Sequence, residues 1–220
     1  MSLGEYLGAG SNITLGLYRF ENNLNDSSGN NVSLAVQGTA QYNFDIGKFG
    51  SSLYFNGSSQ FSRDNPLGLG NISFTFHCYF YIRSVDANRA RAEIFMIGLH
   101  YVTNGGIMFS VRPKSGGNGA IYMDYANVVG FSTDMRVNYD SWNDFLVTKN
   151  GNDIKVTLNG KTESFTKSNL DIRSNSYFRI GEYGSDKAYF KGSMEEVLIE
   201  NRAWTQQEKQ KYYTNALGRF

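Results

Sequence analysis

Ile72-Ser73-Phe74-Thr75-Phe76-His77-Cys78-Tyr79-Phe80-Tyr81-Ile82-Arg83 carries the plainest signal in the chain. Ile72, Phe74, Phe76, Cys78, Phe80 and Ile82 alternate with Ser73, Thr75, His77, Tyr79, Tyr81 and Arg83. A period of two is that of an extended strand, whose successive side chains point to opposite faces. The stretch therefore predicts a long strand with one apolar core face and one polar-aromatic face. Ile107–Arg112, Ala120–Tyr125 and Asp153–Asn159 repeat the alternation. Asn104-Gly105-Gly106, Ser115-Gly116-Gly117-Asn118-Gly119, Asn150-Gly151-Asn152 and Asn159-Gly160 lie around these strands and supply the positive φ that tight hairpins require. Many short strands, such turns and only two prolines predict an all-β antiparallel sandwich. One helix is expected over Gln206–Ala216, opened by a capping box at Thr205 and Glu208 and stopped near Leu217-Gly218.

Composition bounds the chemistry. With 220 residues and 40% hydrophobic content the chain can bury a substantial core. Its 21 basic and 20 acidic side chains leave a net charge near +1, without the basic excess that marks a nucleic-acid partner. One cysteine allows no internal disulfide, and two histidines do not make a His-rich zinc site. No apolar run approaches the roughly 18 residues of a membrane-spanning helix. Met1–Asn12 lacks the basic and apolar regions of a secretory signal. It is expected to act as an arm that docks on a neighbouring subunit, ahead of a single domain over residues 13–220. Sequons such as Asn12-Ile13-Thr14 and Asn71-Ile72-Ser73 matter only in a secreted chain.

Five blocks, in order along the chain, resemble the laminin-G-like, concanavalin A-like jelly rolls. Leu17–Asn30 is similar to the opening strand and turn of that superfamily. Gly47-Lys48-Phe49-Gly50 with Phe55-Asn56-Gly57 resembles its Gly-Lys-Phe-Gly run and Phe-Asp-Gly turn. Phe74–Tyr79 resembles its Phe-Thr-x-x-x-Trp strand, and Trp142–Thr148 with Leu158-Asn159-Gly160 resembles its Trp-to-Val-Thr strand and following hairpin. Phe190–Trp204 resembles its Gly-x-Ile-Asp-Glu-Val-x-Ile-x-Asn-Arg-Ala-Leu ending. The resemblance implies two antiparallel sheets packed face to face, a jelly-roll sandwich with one short C-terminal helix. It does not imply one function, because the fold serves lectins, adhesion modules, hydrolases and structural domains.

A retaining glycosidase needs two carboxyl groups about 5–5.5 Å apart. Within Glu195–Glu200 strict alternation puts only Glu196 and Glu200 on one face, with Leu198 between them. His77 and Cys78 are adjacent, so they point to opposite faces and form no nucleophile–base pair. Asn159-Gly160-Lys161-Thr162 lacks the upstream glycine of a phosphate loop and reads as a hairpin turn. The resemblance also implies a structural calcium held by an acidic side chain of the final strand, where Glu195 takes the place of an aspartate, and by backbone carbonyls near the N-terminal strand, with Asp26 as a further oxygen ligand or the centre of an Asx-turn.

Glycan recognition asks for aromatic platforms and polar side chains on one open surface. The candidates are His77, Tyr79 and Tyr81 on one strand, with Arg112, Tyr122 and Asp124 on others. The same residues also suit a sheet covering or a protein interface. The arginines of Asn88-Arg89-Ala90-Arg91 could grip acidic groups, although two arginines in a loop are more often solvated. The resulting expectation is a non-catalytic, lectin-like recognition domain on a virion surface, such as that of a bacteriophage, or in an extracellular setting, binding a glycan or host surface. The competing expectation is a decoration or oligomer-forming protein that binds no sugar, and a glycoside hydrolase stands third.

Overall fold

In the computed structural model the described residues are 13–37, 42–58, 60–63, 67, 69, 73–86, 91–98, 105–114, 118–125, 128–168, 170, 172, 177–181 and 189–217. The expected N-terminal arm, Met1–Asn12, lies outside them. In chain order the strands are β1 (Thr14–Tyr18), β2 (Leu34–Val36), β3 (Tyr42–Ile46), β4 (Ser51–Asn56), β5 (Phe61–Arg63), β6 (Phe74–Tyr81), β7 (Ala92–Gly98) and β8 (Gly106–Lys114). They continue with β9 (Asn118–Tyr125), β10 (Val128–Arg136), β11 (Trp142–Asn150), β12 (Asp153–Leu158), β13 (Lys161–Thr166), β14 (Phe178–Ile180) and β15 (Lys191–Glu200). A single α-helix, α1 (Gln206–Leu217), follows.

All pairings between described strands are antiparallel and form two sheets. The first runs β13-β12-β11-β6-β15-β4-β3, with β1 also on β15; the second runs β10-β9-β8-β7-β14-β5-β2. This is the expected all-β jelly-roll sandwich. The alternation of β6 sets its interior: Phe74, Phe76, Cys78 and Phe80 join the main core, fully buried. Phe76 of the first sheet stacks on Phe95 of the second with ring centroids 3.7 Å apart. Phe145 is in ring contact with Phe76, Phe80, Phe95 and Phe109. Burial pushes the Cys78 thiol well above its ordinary range, so this cysteine is an inert core residue.

Local signals landed where the backbone needed them. Asn159 and Gly160 take φ of 51° and 82°, which suits the tight turn between β12 and β13. Thr205 and Glu208 form the capping box reciprocally. The Glu208 amide donates to Thr205 Oγ1 at 3.2 Å, and the Thr205 amide donates to Glu208 Oε2 at 2.8 Å.

One strand departs from strict alternation. Glu195 faces Tyr79 of β6, but Leu198 faces His77, so β15 spends three steps where β6 spends two. The extra residue is a β-bulge, and Glu196 sits within it at φ 50°. The bulge corrects the face assignment: Glu195, rather than Glu196, shares the outer face with Leu198 and Glu200. Sequence periodicity cannot register an inserted residue, because a bulge shifts every later side chain by one.

Gly192, near the start of β15, has φ 151°, and a Cβ there would lie 2.0 Å from the Tyr81 carbonyl oxygen. Gly151, by contrast, has φ 57° and open space around it. Gly192→Ala is expected to cost about 3 kcal/mol of unfolding free energy, against about 1 kcal/mol for Gly151→Ala. Urea denaturation of both variants measures this, and equal losses would show that the close approach to Tyr81 is not a constraint.

Candidate functional site

The outer face of the first sheet is closed by α1. Leu17, Tyr79, Leu146, Leu198, Trp204 and Tyr212 form a second apolar cluster there, with Phe49 and Trp142 packed on it. His77 is 0% exposed and Tyr79 3%. The Tyr212 hydroxyl lies 2.9 Å from His77 Nε2 and donates to the Tyr79 hydroxyl at 2.8 Å. Asp144 Oδ1 lies 3.0 Å from the same Nε2. A carboxylate only accepts, so Nε2 carries the proton of that contact. Desolvation raises the Tyr79 and Tyr212 phenols well above their ordinary range. Tyr81, half-buried, meets Trp142 edge-on at 5.7 Å. The expectation of one open surface running from His77, Tyr79 and Tyr81 to Arg112, Tyr122 and Asp124 is therefore corrected. The first three lie on one sheet, with His77 and Tyr79 beneath a helix, and the last three lie on the other sheet. Tyrosine and histidine have apolar bodies with polar tips, so the alternation of β6 is compatible with either an open face or a helix-covered one.

The outer face of the second sheet assembles a different group. Arg112 Nη2 pairs with Asp124 Oδ2, and Arg91 Nη1 reaches the same oxygen at 3.5 Å. The Arg112 guanidinium lies 5.0 Å from the centre of the Tyr122 ring, and its Nε donates to Ser110 Oγ at 3.3 Å. Register explains the grouping: Ser110 faces Tyr122, Met108 faces Asp124, and Glu93 of β7 faces Ser110. Arg112 faces Ala120, so Tyr122 is its diagonal neighbour and the guanidinium runs along the sheet face past that ring to reach Asp124. Burial pushes the Asp124 carboxyl up against the pull of Arg112 and Arg91, and burial lowers Arg112. Both directions show a pair whose desolvation is not fully offset by mutual attraction. Added hydrogen bonds from a ligand would offset more of it. Arg91 is thus a half-buried partner of Asp124, not a solvated loop residue. Ser110 and the fully buried Glu93 were not singled out in the sequence, although their positions in alternating strands are the signal that could have found them.

The carboxylates expected to hold calcium are engaged by amides. Asp26 Oδ1 accepts from the Leu17 and Ser28 amides at 3.0 and 2.8 Å. Its Oδ2 accepts from Ser28 Oγ at 2.8 Å and from the Val32 amide at 3.3 Å. Four donors fill the acceptor positions of a carboxylate, so Asp26 is the organising residue of a turn and does not fit a cation. Glu195 Oε2 accepts from the Lys48 and Phe49 amides at 2.9 and 3.3 Å. Its Oε1 is buried without a hydrogen-bond partner among the described residues. Burial raises the Glu195 carboxyl to about 7, against those two amide bonds. A Cβ on Gly47 would lie 2.1 Å from Glu195 Oε2, so the Gly-Lys-Phe-Gly loop closes tightly over this side chain. Among the described residues no group of three or more His, Cys, Asp or Glu side chains is arranged to hold a metal ion.

With two antiparallel sheets and these faces in place, the chain matches the concanavalin A-like lectin/glucanases superfamily over residues 55–208 and belongs to it. A sequence search of curated proteins finds no match. Among solved structures it is similar to domain 4 of AbnA, a GH43 extracellular arabinanase from Geobacillus stearothermophilus, in complex with arabinotriose. The TM-score is 0.71 at 20% identity, covering 89% of this chain and 96% of that one. It is also similar to a heptameric SAP-like pentraxin from Limulus polyphemus, with TM-score 0.57, 13% identity, and 71% and 78% of the two chains covered. A third likeness is to the enzymatically active domain of bacteriophage CBA120 tailspike protein 2, with TM-score 0.60 and 9% identity, covering 79% of this chain and 29% of that one. These likenesses define a shared fold. No helix among the described residues is long and apolar enough to cross a membrane.

Glu195 gives a pH signature with a definite sign. Its folded carboxyl titrates near 7, above the ordinary value of 4.5, so burial favours the protonated form. The wild-type chain should therefore lose stability as pH rises from about 4.5 through 7, by at most about 3 kcal/mol. Glu195→Gln should remove that slope and unfold later than wild type at pH 8. Thermal melts between pH 4.5 and 8 measure this, and parallel curves for the two proteins would contradict it.

Proposed function

We propose that this chain is a non-catalytic carbohydrate-recognition domain whose ligand lies on the outer face of the second sheet, across Arg112, Tyr122 and Asp124. One observation carries the reading: a tyrosine ring and a guanidinium, both partly exposed, converge over a buried carboxylate on the outer face of the second sheet. Tyr122 and Arg112 remain partly exposed, so a sugar ring can pack against them. Sugars present apolar C–H faces and polar hydroxyls together, and an aromatic ring beside fixed charged donors and acceptors suits both. Superfamily membership and the arabinotriose bound to the arabinanase domain support a saccharide as the ligand class.

The reading is non-catalytic because the acidic strand does not present the paired carboxylates of a retaining hydrolase. Glu200 is engaged by the Trp204 indole at 2.9 Å and by Arg202 at 3.1 Å, and Glu195 is closed over by the Gly-Lys-Phe-Gly loop. On this reading the domain works at the surface of a particle such as a bacteriophage virion, or outside a cell, and holds a host glycan. The fold likeness to a tailspike domain accords with that setting.

Screening on a glycan array, followed by calorimetry on the best ligand, tests the proposal. Tyr122→Ala and Arg112→Ala should each weaken binding at least about tenfold, the loss of one stacked platform or one charge-assisted hydrogen bond. Tyr79→Ala should lower the melting temperature and leave the affinity of the folded protein unchanged. A silent array would overturn the proposal and favour the decoration reading. Released sugar on incubation with β-glucans would overturn its non-catalytic part.

A further inference from the structure

The two sheets also meet at an open seam, where edge strand β10 of the second runs beside edge strand β13 of the first. Three successive positions along that seam differ in chemistry. Phe131 stacks on Phe165 with centroids 3.6 Å apart and planes 4° from parallel. Next, Glu163 Oε1 accepts from the Asp134 and Met135 amides at 2.9 and 3.0 Å. Lys161, Glu163 and Phe165 share one face of β13 by alternation, so Lys161 comes next along the seam, in the direction that β10 takes toward Arg136. Here the strands are not clasped. Arg136 and Lys161 line a groove of about 540 Å³ that also takes in Asp134, Asn138 and Asn159.

The groove is built rather than incidental. Asn143, fully buried, accepts from the Asn138 amide at 2.8 Å and donates to the Asn138 carbonyl at 2.7 Å. Its Oδ1 also accepts from Asn159 Nδ2 at 3.0 Å, and Asn159 Oδ1 accepts from the Asp144 amide at 2.9 Å. One buried amide thereby fixes both asparagine walls. On the β10 side the Glu163 clasp fixes the backbone that carries Arg136. Among the described residues Arg136 and Lys161 enter no ion pair, and both are exposed. The lining also holds two carboxylates, of which Glu163 accepts two amide bonds, and among the described residues neither Glu163 nor Asp134 forms an ion pair with Arg136 or Lys161.

We infer that this groove is a second ligand site, separate from the Tyr122 face, and that it takes a carboxylate-bearing saccharide. The sugar carboxylate lies between the Arg136 guanidinium and the Lys161 ammonium, where charge-assisted hydrogen bonds are strongest. Asn138 and Asp134 add polar groups to the lining that can meet sugar hydroxyls. Met135 and Leu158 supply only a small apolar patch. The lining holds no aromatic anchor of the kind that dominates peptide and protein interfaces, and its volume is that of a small-molecule site.

The test titrates trigalacturonic acid and the neutral galactotriose into the full chain, followed by amide NMR. The wild type, the double variant Arg136→Ala/Lys161→Ala and Tyr122→Ala are compared, each checked for an unchanged melting temperature. Perturbations centred on Asn138, Asn159 and residues 134–136, with binding at least about tenfold weaker in the double variant and unchanged in Tyr122→Ala, support the site. Perturbations centred on Tyr122 and Asp124, and lost in Tyr122→Ala alone, overturn it while leaving the sheet-face proposal standing. Equal binding of the neutral sugar in the groove, or no perturbation by millimolar acidic sugar, overturns it as well.

Discussion

The interlocking of aromatic rings between the two sheets is the constraint from which the rest of the molecule follows. Phe76 against Phe95, with Phe145, Phe109 and Phe178 around them, gives each central strand one direction in which its large side chains must point. A slip of one residue in any of these strands would turn its phenylalanines to the outer face and its polar residues into the core. Once the inner faces are set, every remaining side chain of β6, β8 and β9 is committed to an outer face. The candidate sites are those outer faces, and their composition is the complement of the core.

The two outer faces then meet different fates. That of the first sheet keeps a large apolar area, from Leu17, Leu146 and Leu198, which a single helix can cover. Covering it requires polar groups beneath the helix to find partners, and Tyr212, His77, Tyr79 and Asp144 supply these to one another. The bulge in β15 belongs to the same solution, since it places Glu195 under the Gly-Lys-Phe-Gly loop and Leu198 under the helix. The second sheet instead brings charges and a tyrosine together at Arg112, Asp124 and Tyr122. Burial works against both members of that ion pair.

The sites drew on the sequence unequally. The hairpin turn at Asn159-Gly160 and the capping box at Thr205 were readable because each depends on residues a few positions apart. Arg112, Tyr122 and Asp124 could be placed on polar strand faces by alternation alone. Their convergence with Arg91, which precedes β7, could not be read, because it depends on which strands become neighbours. The seam groove was further out of reach. Its Asn138–Asn143–Asn159 network and the Glu163 clasp join residues that carry no pattern in sequence.

The sequence by itself determined the class of fold, through a period of two, turn residues in the right gaps and motif blocks in order along the chain. It also determined that His77 and Cys78 face opposite ways, because adjacent residues of a strand must. Only the tertiary structure decided that the His77–Tyr79 face is closed and the Tyr122 face partly open. The physical reason is that amphipathic aromatic side chains are at home under a helix and in water alike. Strand periodicity therefore names the two faces of a sheet, while the docking of α1, governed by the fit of Trp204 and Tyr212 against the first sheet, selects which face it covers.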